Sequence, residues 1–203
     1  MTALFPACSE AALAQAAAQV FPATQGFVPG RGPQQPRLIL VGEAPGETEV
    51  ASGRPFTGRA GAKLDLMLAA LGLTRADVFI TMTFHRRPVR LKGAKLVNRP
   101  PTKAEMLADP LLDWDLAALP EPPVLLMGNT ALWRLYHGRV SDWHGRVLTA
   151  SLSRIVDGQL VAGPVRRFGV VAHPAALLYR TQTQTETLAD LVALRQPLLE
   201  ATL

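Results

Sequence analysis

At 203 residues and 48% hydrophobic side chains, the chain is long enough for one sizeable core and too short for two independent catalytic domains, so one domain over 1–203 is expected. No apolar run approaches the roughly 20 residues of a membrane helix, and a single cysteine, Cys8, excludes an internal disulfide and any multi-cysteine metal or cluster site. The net charge of +5 is concentrated in one stretch, where Arg86, Arg87, Arg90, Lys92, Lys95, Arg99 and Lys103 occur with no acid before Glu105, a pattern that fits either a polyanion contact or a solvated loop.

In chain order, the alanine-rich segment Ser9 to Val20 has no basic leader before it, carries Glu10, and reads as a surface helix capped by Ser9 in a cytoplasmic protein. Pro22 to Pro36 reads as an irregular connection. Arg37 then introduces Leu38-Ile39-Leu40-Val41, a short apolar run ended by Gly42-Glu43-Ala44-Pro45-Gly46, the pattern of a buried strand entering a glycine-punctuated loop. Leu64, Met67, Leu68 and Leu71 recur at helical spacing, with Gly72 placed to end the helix. Val78 to Ile80, Val124 to Met127 and Gly169 to Ala172 read as three further buried strands, with helices over Thr130 to Tyr136 and Thr187 to Leu199. Strands alternating with helices predict an α/β fold, a three-layer α/β/α sandwich around a mostly parallel four-stranded sheet.

Each predicted strand is followed by polar or glycine-rich residues: Gly42 to Glu49, His85 to Arg90, Gly128-Asn129 and His173-Pro174. The carboxyl ends of parallel strands line one crevice, so these loops predict a single composite site. The first loop is not a phosphate-cradling motif. Gly53-Arg54-Pro55-Phe56-Thr57-Gly58-Arg59-Ala60-Gly61 places Phe56 in a glycine-flanked turn, where it either joins the core or stacks on an extruded base. His173 at the tip of the last strand can donate to developing negative charge. Leu177 and Leu178 read either as the core side of a helix start or as apolar wedges entering a duplex.

The blocks Gly42 to Gly61 and His173 to Arg180 resemble the motifs of the uracil-DNA glycosylase superfamily, and the pairing of GEAPG…E with GRPF-x-GRAG resembles its family 4. The resemblance runs from about Leu38 to Arg180. It implies that Glu43, with Gly42, Ala44, Pro45 and Gly46, lines a base pocket and positions water, that Phe56 stacks on the base, that Glu49 is the family's later loop carboxylate, and that His173 stabilises the anionic leaving group. It further implies that Arg59, Arg86, Arg87, Arg90, Lys92, Lys95, Arg99, Ala175 and Arg180 contact DNA, while Leu177 and Leu178 fill the vacated stack.

The sequence departs from this family twice. Family 4 holds an iron–sulfur cluster on four cysteines, and here Arg86 and Ala108 stand near expected ligand positions, so no metal or cofactor is expected. An asparagine that reads the uracil edge is replaced by Met82, whose thioether cannot make paired amide contacts; Thr81, Thr83 or Asn98 then reads the base, or the specificity differs. The expected function is hydrolysis of deoxyuridine's N-glycosidic bond in DNA, by a monomer that does not engage membranes. Its alternatives are a glycosylase for hypoxanthine or xanthine and a non-catalytic module that binds lesions or abasic sites.

Overall fold

A computed structural model describes residue 21 and residues 23–200; Cys8 and the predicted Ser9 to Val20 helix lie outside the described residues. Strand β1 (Thr24–Gln25) precedes β2 (Leu38–Gly42), and the helices α1 (Glu47–Ser52) and α2 (Arg59–Ala70) lead into β3 (Val78–Met82). A hairpin of β4 (Arg87–Lys92) and β5 (Lys95–Asn98) is followed by α3 (Lys103–Leu107) and α4 (Leu111–Ala118). Then come β6 (Val124–Met127), α5 (Asn129–Leu135), α6 (Val140–Trp143), a long hairpin of β7 (Val147–Val156) and β8 (Gln159–Val171), a 3-10 turn (Pro174–Leu178) and α7 (Thr181–Leu199).

The main sheet has five strands in the order β3-β2-β6-β8-β7, parallel except where β7 runs antiparallel to β8. All four predicted strands are present, and β7 adds a fifth at the edge. Edge strand β7 is half-exposed and mixes Val, Leu and Ile with Thr, Ser and Arg, so it lacks the continuous apolar run that marks a strand covered on both faces. In the same way, the basic stretch folds into the β4–β5 hairpin and joins β1 in a second sheet of order β1-β4-β5.

Alternation along the central strands sorts the core into two layers. Leu38, Leu40, Val78, Ile80, Leu125, Met127 and Val171 face α2 and α7, while Ile39, Val41, Phe79, Val124, Leu126, Phe168 and Val170 face α4 and α5. Gly169 lets α7 close in, since a Cβ there would sit 3.2–3.4 Å from Leu125, Leu194 and Leu198. Helix α2 ends as its spacing predicts: Gly72 is left-handed (φ +67°), its N–H donates to Ala69 O at 3.0 Å, and Leu73 N–H donates back to Leu68 O at 2.9 Å. Helix α7 starts at Thr181, six residues before the predicted Thr187, because its first turns carry polar residues that no hydrophobic period reveals. No helix among the described residues is long and apolar enough to cross a membrane.

From β2 the chain passes to β3 on one side, and from β3 it returns to β6 on the other. Strand order therefore reverses at β2/β6, the place where an open parallel sheet leaves a crevice at its carboxyl end.

Candidate active site

The loops leaving β2, β3, β6 and β8 converge at that crevice. Thr83 N–H donates to Gly42 O (3.1 Å) and Phe84 N–H to Glu43 O (3.2 Å), while the Thr83 hydroxyl donates to Glu43 O (2.7 Å), so the loops after β2 and β3 are tied together. From α5, the Thr130 hydroxyl donates to Glu43 Oε2 across the switch point. A cavity of about 290 Å³ results, lined by Glu43, Ala44, Pro45, Gly46, Glu49, Phe56, Ala60, Met82, Asn98, Arg99, Pro100, His173 and Ala175. Every residue expected in the catalytic and base-pocket sets lines this cavity except Gly42, which lies beneath Phe56: a Cβ there would reach the ring at 2.8 Å.

Phe56 has φ +53°, a left-handed conformation that costs a non-glycine residue energy. Arg75 holds it there: Nη2 donates to Phe56 O (2.8 Å) and Gly61 O (3.2 Å), Nη1 to Pro55 O (3.4 Å), and Nε to Asp65 (2.6 Å). Gly61 is required opposite, because a Cβ would fall 1.9 Å from Phe56 O. No sequence motif marked Arg75, which lies outside both motif blocks in the turn before β3. The Phe56 ring ends 5.7 Å from the His173 imidazole, centroid to centroid.

His173 is partly buried, and its Nδ1 accepts the Ala175 N–H at 3.2 Å, which leaves the proton of the neutral ring on Nε2. Burial lowers its pKa below the usual 6.5, with Glu43 partly opposing the shift, so the ring is neutral at pH 7 and still an N–H donor. Gly128 makes room behind it, since a Cβ there would lie 2.9 Å from His173 Cβ.

The two carboxylates differ in what they hold. Glu49 accepts the Gly46 N–H at Oε2 (3.0 Å) and the Gly58 N–H at Oε1 (2.8 Å), bridging the two glycine-rich loops. Glu43 accepts from Thr130 at Oε2, and among the described residues no hydrogen-bond donor engages its Oε1. Of the three residues that could replace the missing amide, Thr81 donates to Asp115 Oδ2 (2.6 Å) and does not line the cavity, and Thr83 is spent on Glu43 O. Asn98 does line it, with its Oδ1 held by Arg87 Nε at 2.6 Å.

The basic stretch divides into two groups. Arg86 and Arg87 are buried: Arg86 Nε donates to Thr24 Oγ1 (2.7 Å), and Arg87 reaches Asn98, Gln25 (3.1 Å) and Glu47 (3.4 Å). Arg99 makes a two-pronged pair with Glu105 at 2.6 and 2.7 Å. These three brace the fold, so they do not form part of a solvated, mobile loop; a charge count does not register that their partners, Thr24, Gln25, Asn98 and Glu105, fold against them. Arg90, Lys92 and Lys95 are exposed, as are Arg59 and Arg180. Leu177 is 3% exposed and packs in the α2/α7 core, Leu178 is half-buried and Tyr179 is 77% exposed.

Where the resemblance would place cluster cysteines, the structure holds a different bond set. His85, 1% exposed, sits between two carboxylates: its backbone N–H and its Nδ1 both reach Asp109 Oδ2 (2.8 and 3.1 Å), and Asp109 Oδ1 accepts the Leu111 N–H (3.0 Å). At Nε2 lies the Thr81 hydroxyl oxygen (3.1 Å), whose own proton goes to Asp115. Both ring nitrogens thus face acceptors, the arrangement of an imidazolium. Burial pushes the ring's pKa down, but Asp109 and Asp115 outweigh it and raise it to about 10. With one cysteine in the chain, and Arg86 and Ala108 flanking this ion pair, the residues present do not fit an iron–sulfur cluster. Among the described residues, no group of three or more His, Cys, Asp or Glu side chains is arranged to hold a metal ion.

Comparison with known proteins places the chain in a family. The model of the uracil DNA glycosylase superfamily matches residues 29–194. The chain is 32% identical over 166 residues to a type-4 uracil-DNA glycosylase of Archaeoglobus fulgidus (81% of this chain, 78% of the relative). It is 33% identical over 167 residues to one of Pyrobaculum aerophilum (81% and 79%), and 42% identical over 81 residues to one of Thermotoga maritima (40% and 38%). By its sequence and by the fold that carries these motifs to one crevice, the chain belongs to the uracil DNA glycosylase superfamily, as an enzyme of the glycosylase type.

Proposed function

We propose that this protein excises uracil from DNA by hydrolysing the N-glycosidic bond of an extruded deoxyuridine, leaving an abasic site. The observation that carries this reading is the neutral His173, an Nε2–H donor beside the Phe56 ring in a cavity of about 290 Å³, small for a drug-sized ligand and suited to one base. Extrusion costs a few kcal/mol, recovered by stacking on Phe56 and by contacts to the flanking backbone. As the bond breaks, negative charge grows on the base, where a preorganised donor is worth about 2.7–4 kcal/mol. Glu43, with Oε2 fixed by Thr130, is better placed than Glu49 to orient the attacking water, because both Glu49 oxygens already accept backbone N–H groups. No step calls for a metal or a redox group.

A second reading rests on Met82, a buried thioether in the cavity where an amide would read uracil. It favours another deaminated base, hypoxanthine or xanthine.

The test is strand scission after alkali on single- and double-stranded oligonucleotides carrying uracil, hypoxanthine or xanthine. Uracil release that falls at least about 100-fold in His173→Ala, with DNA affinity kept, is the expected result. Release of a purine alone would favour the second reading. Tight binding with no release from any substrate would leave a lesion-binding module.

A further inference from the structure

The cavity's outer wall is built by the base of the β4–β5 hairpin, and the hairpin continues past it. Asn98, Arg99 and Pro100 line the cavity, while the tip turns over Gly93 (φ +61°) and Ala94 between the paired residues Lys92 and Lys95. Cross-strand partners in an antiparallel pair share a face, and residues two apart along a strand do too. With Val89 opposite Asn98 and Leu91 opposite Leu96, one face of the hairpin carries Arg87, Val89, Leu91, Leu96 and Asn98. The Arg87–Asn98 hydrogen bond confirms that grouping. The opposite face carries Arg90, Lys92 and Lys95.

Leu91 is 71% exposed and Leu96 45% exposed. They form an adjacent apolar pair on the face that also presents Asn98 to the cavity, about 7 Å further out along the strand. Cations back this pair, and a solvent-facing leucine pair at a hairpin tip gains nothing for the isolated fold. The expected wedge Leu177 is meanwhile committed to the core.

We propose that this tip is a DNA-probing element: Leu91 and Leu96 insert into a duplex beside the extruded nucleotide and pack on its exposed base faces. Arg90, Lys92 and Lys95 hold phosphates from the other side. Apolar side chains inserted between base steps, accompanied by cations, are an established means of unstacking a duplex. The occupant is double-stranded DNA, because continuity with the base pocket and the positive charge both select it. The proposal rests on the glycosylase reading for its position beside an extruded base.

The test is Leu91→Ser/Leu96→Ser, a surface change expected to leave the unfolding midpoint unaltered. In single-turnover assays uracil release from a duplex should fall about tenfold or more, while release from the matching single strand, which needs no unstacking of paired bases, stays within about twofold. An unchanged duplex rate, or an equal fall on both substrates, overturns the proposal. A second measurement does not depend on turnover: 2-aminopurine beside a uracil in a duplex brightens as it unstacks. Brightening with the wild-type protein that is lost in the variant supports the hairpin's role; brightening equal in both, or none with the wild type, overturns it. Failure of the wild type to release uracil from either strand would instead sink the glycosylase reading, and the fluorescence measurement would still decide the hairpin.

Discussion

Replacing Asp109 by asparagine tests whether a buried ion pair anchors the basic hairpin. Asp109 is buried and accepts three N–H groups: the His85 backbone and ring at Oδ2, and Leu111 at Oδ1. An amide presents an NH₂ to one side of that set and removes the charge that keeps His85 protonated. Breaking a buried pair from one side costs about 3–5 kcal/mol, or roughly 6–20 °C in Tm at 2–4 °C per kcal/mol for a chain of this size. The sign with pH follows from His85, whose pKa rises from 6.5 in the unfolded chain to about 10 in the fold. Its stabilisation is complete below pH 6.5 and is lost as pH rises towards 10, with a ceiling of about 5 kcal/mol. Urea unfolding of wild type and Asp109→Asn at intervals from pH 6 to 10.5 should therefore show a gap widest near pH 6 and narrowing towards pH 10. A gap below about 1 kcal/mol, or one constant over that window, would refute the account of His85 as a buried cation.

Arg75 acts through Phe56, so Arg75→Ala should slow uracil release in the wild-type background and add little in Phe56→Ala; fully additive effects in the double-mutant cycle would make Arg75 merely structural. Phe56→Ala itself should lower kcat/KM by the roughly 1–3 kcal/mol of a missing base stack, and because the ring is also buried in the α2/α7 core it should lower the unfolding midpoint as well. Neutralising Arg90, Lys92 and Lys95 should reduce the salt dependence of duplex binding by nearly one unit of slope for each phosphate no longer neutralised, whereas Arg99→Gln should lower the unfolding midpoint first. Because burial lowers the His173 pKa, the neutral donor persists below pH 6.5; protonation would set a second ring N–H against the Ala175 N–H, so the His173-dependent part of the rate should decline only below pH 6.5, and an acid limb above that value would contradict the assignment.

How far these side chains were legible beforehand depends on the range of the forces that place them. The strands at Leu38, Val78, Val124 and Gly169 could be read from apolar runs because burial on both faces of a parallel sheet imposes a local composition. The site loops were legible because they follow those strands, and Glu43, Phe56 and His173 because their motifs are contiguous. The edge strand β7 and the β4–β5 hairpin escaped, since half-exposed strands carry no unbroken apolar run and pairing partners are chosen across the chain.

The sequence by itself determined the layer order, the loops that carry the chemistry and the absence of a cysteine ligand set. Only the tertiary structure decided which arginines brace the fold and which face solvent, that Leu177 belongs to the core, and that Arg75 locks Phe56 in a left-handed turn. It also decided that His85 is held as a cation between Asp109 and Asp115. The physical reason is common to the charged groups and the strained turn: each is defined by what lies within hydrogen-bonding distance of it, and here some of the partners stand as far as 62 and 76 residues away along the chain.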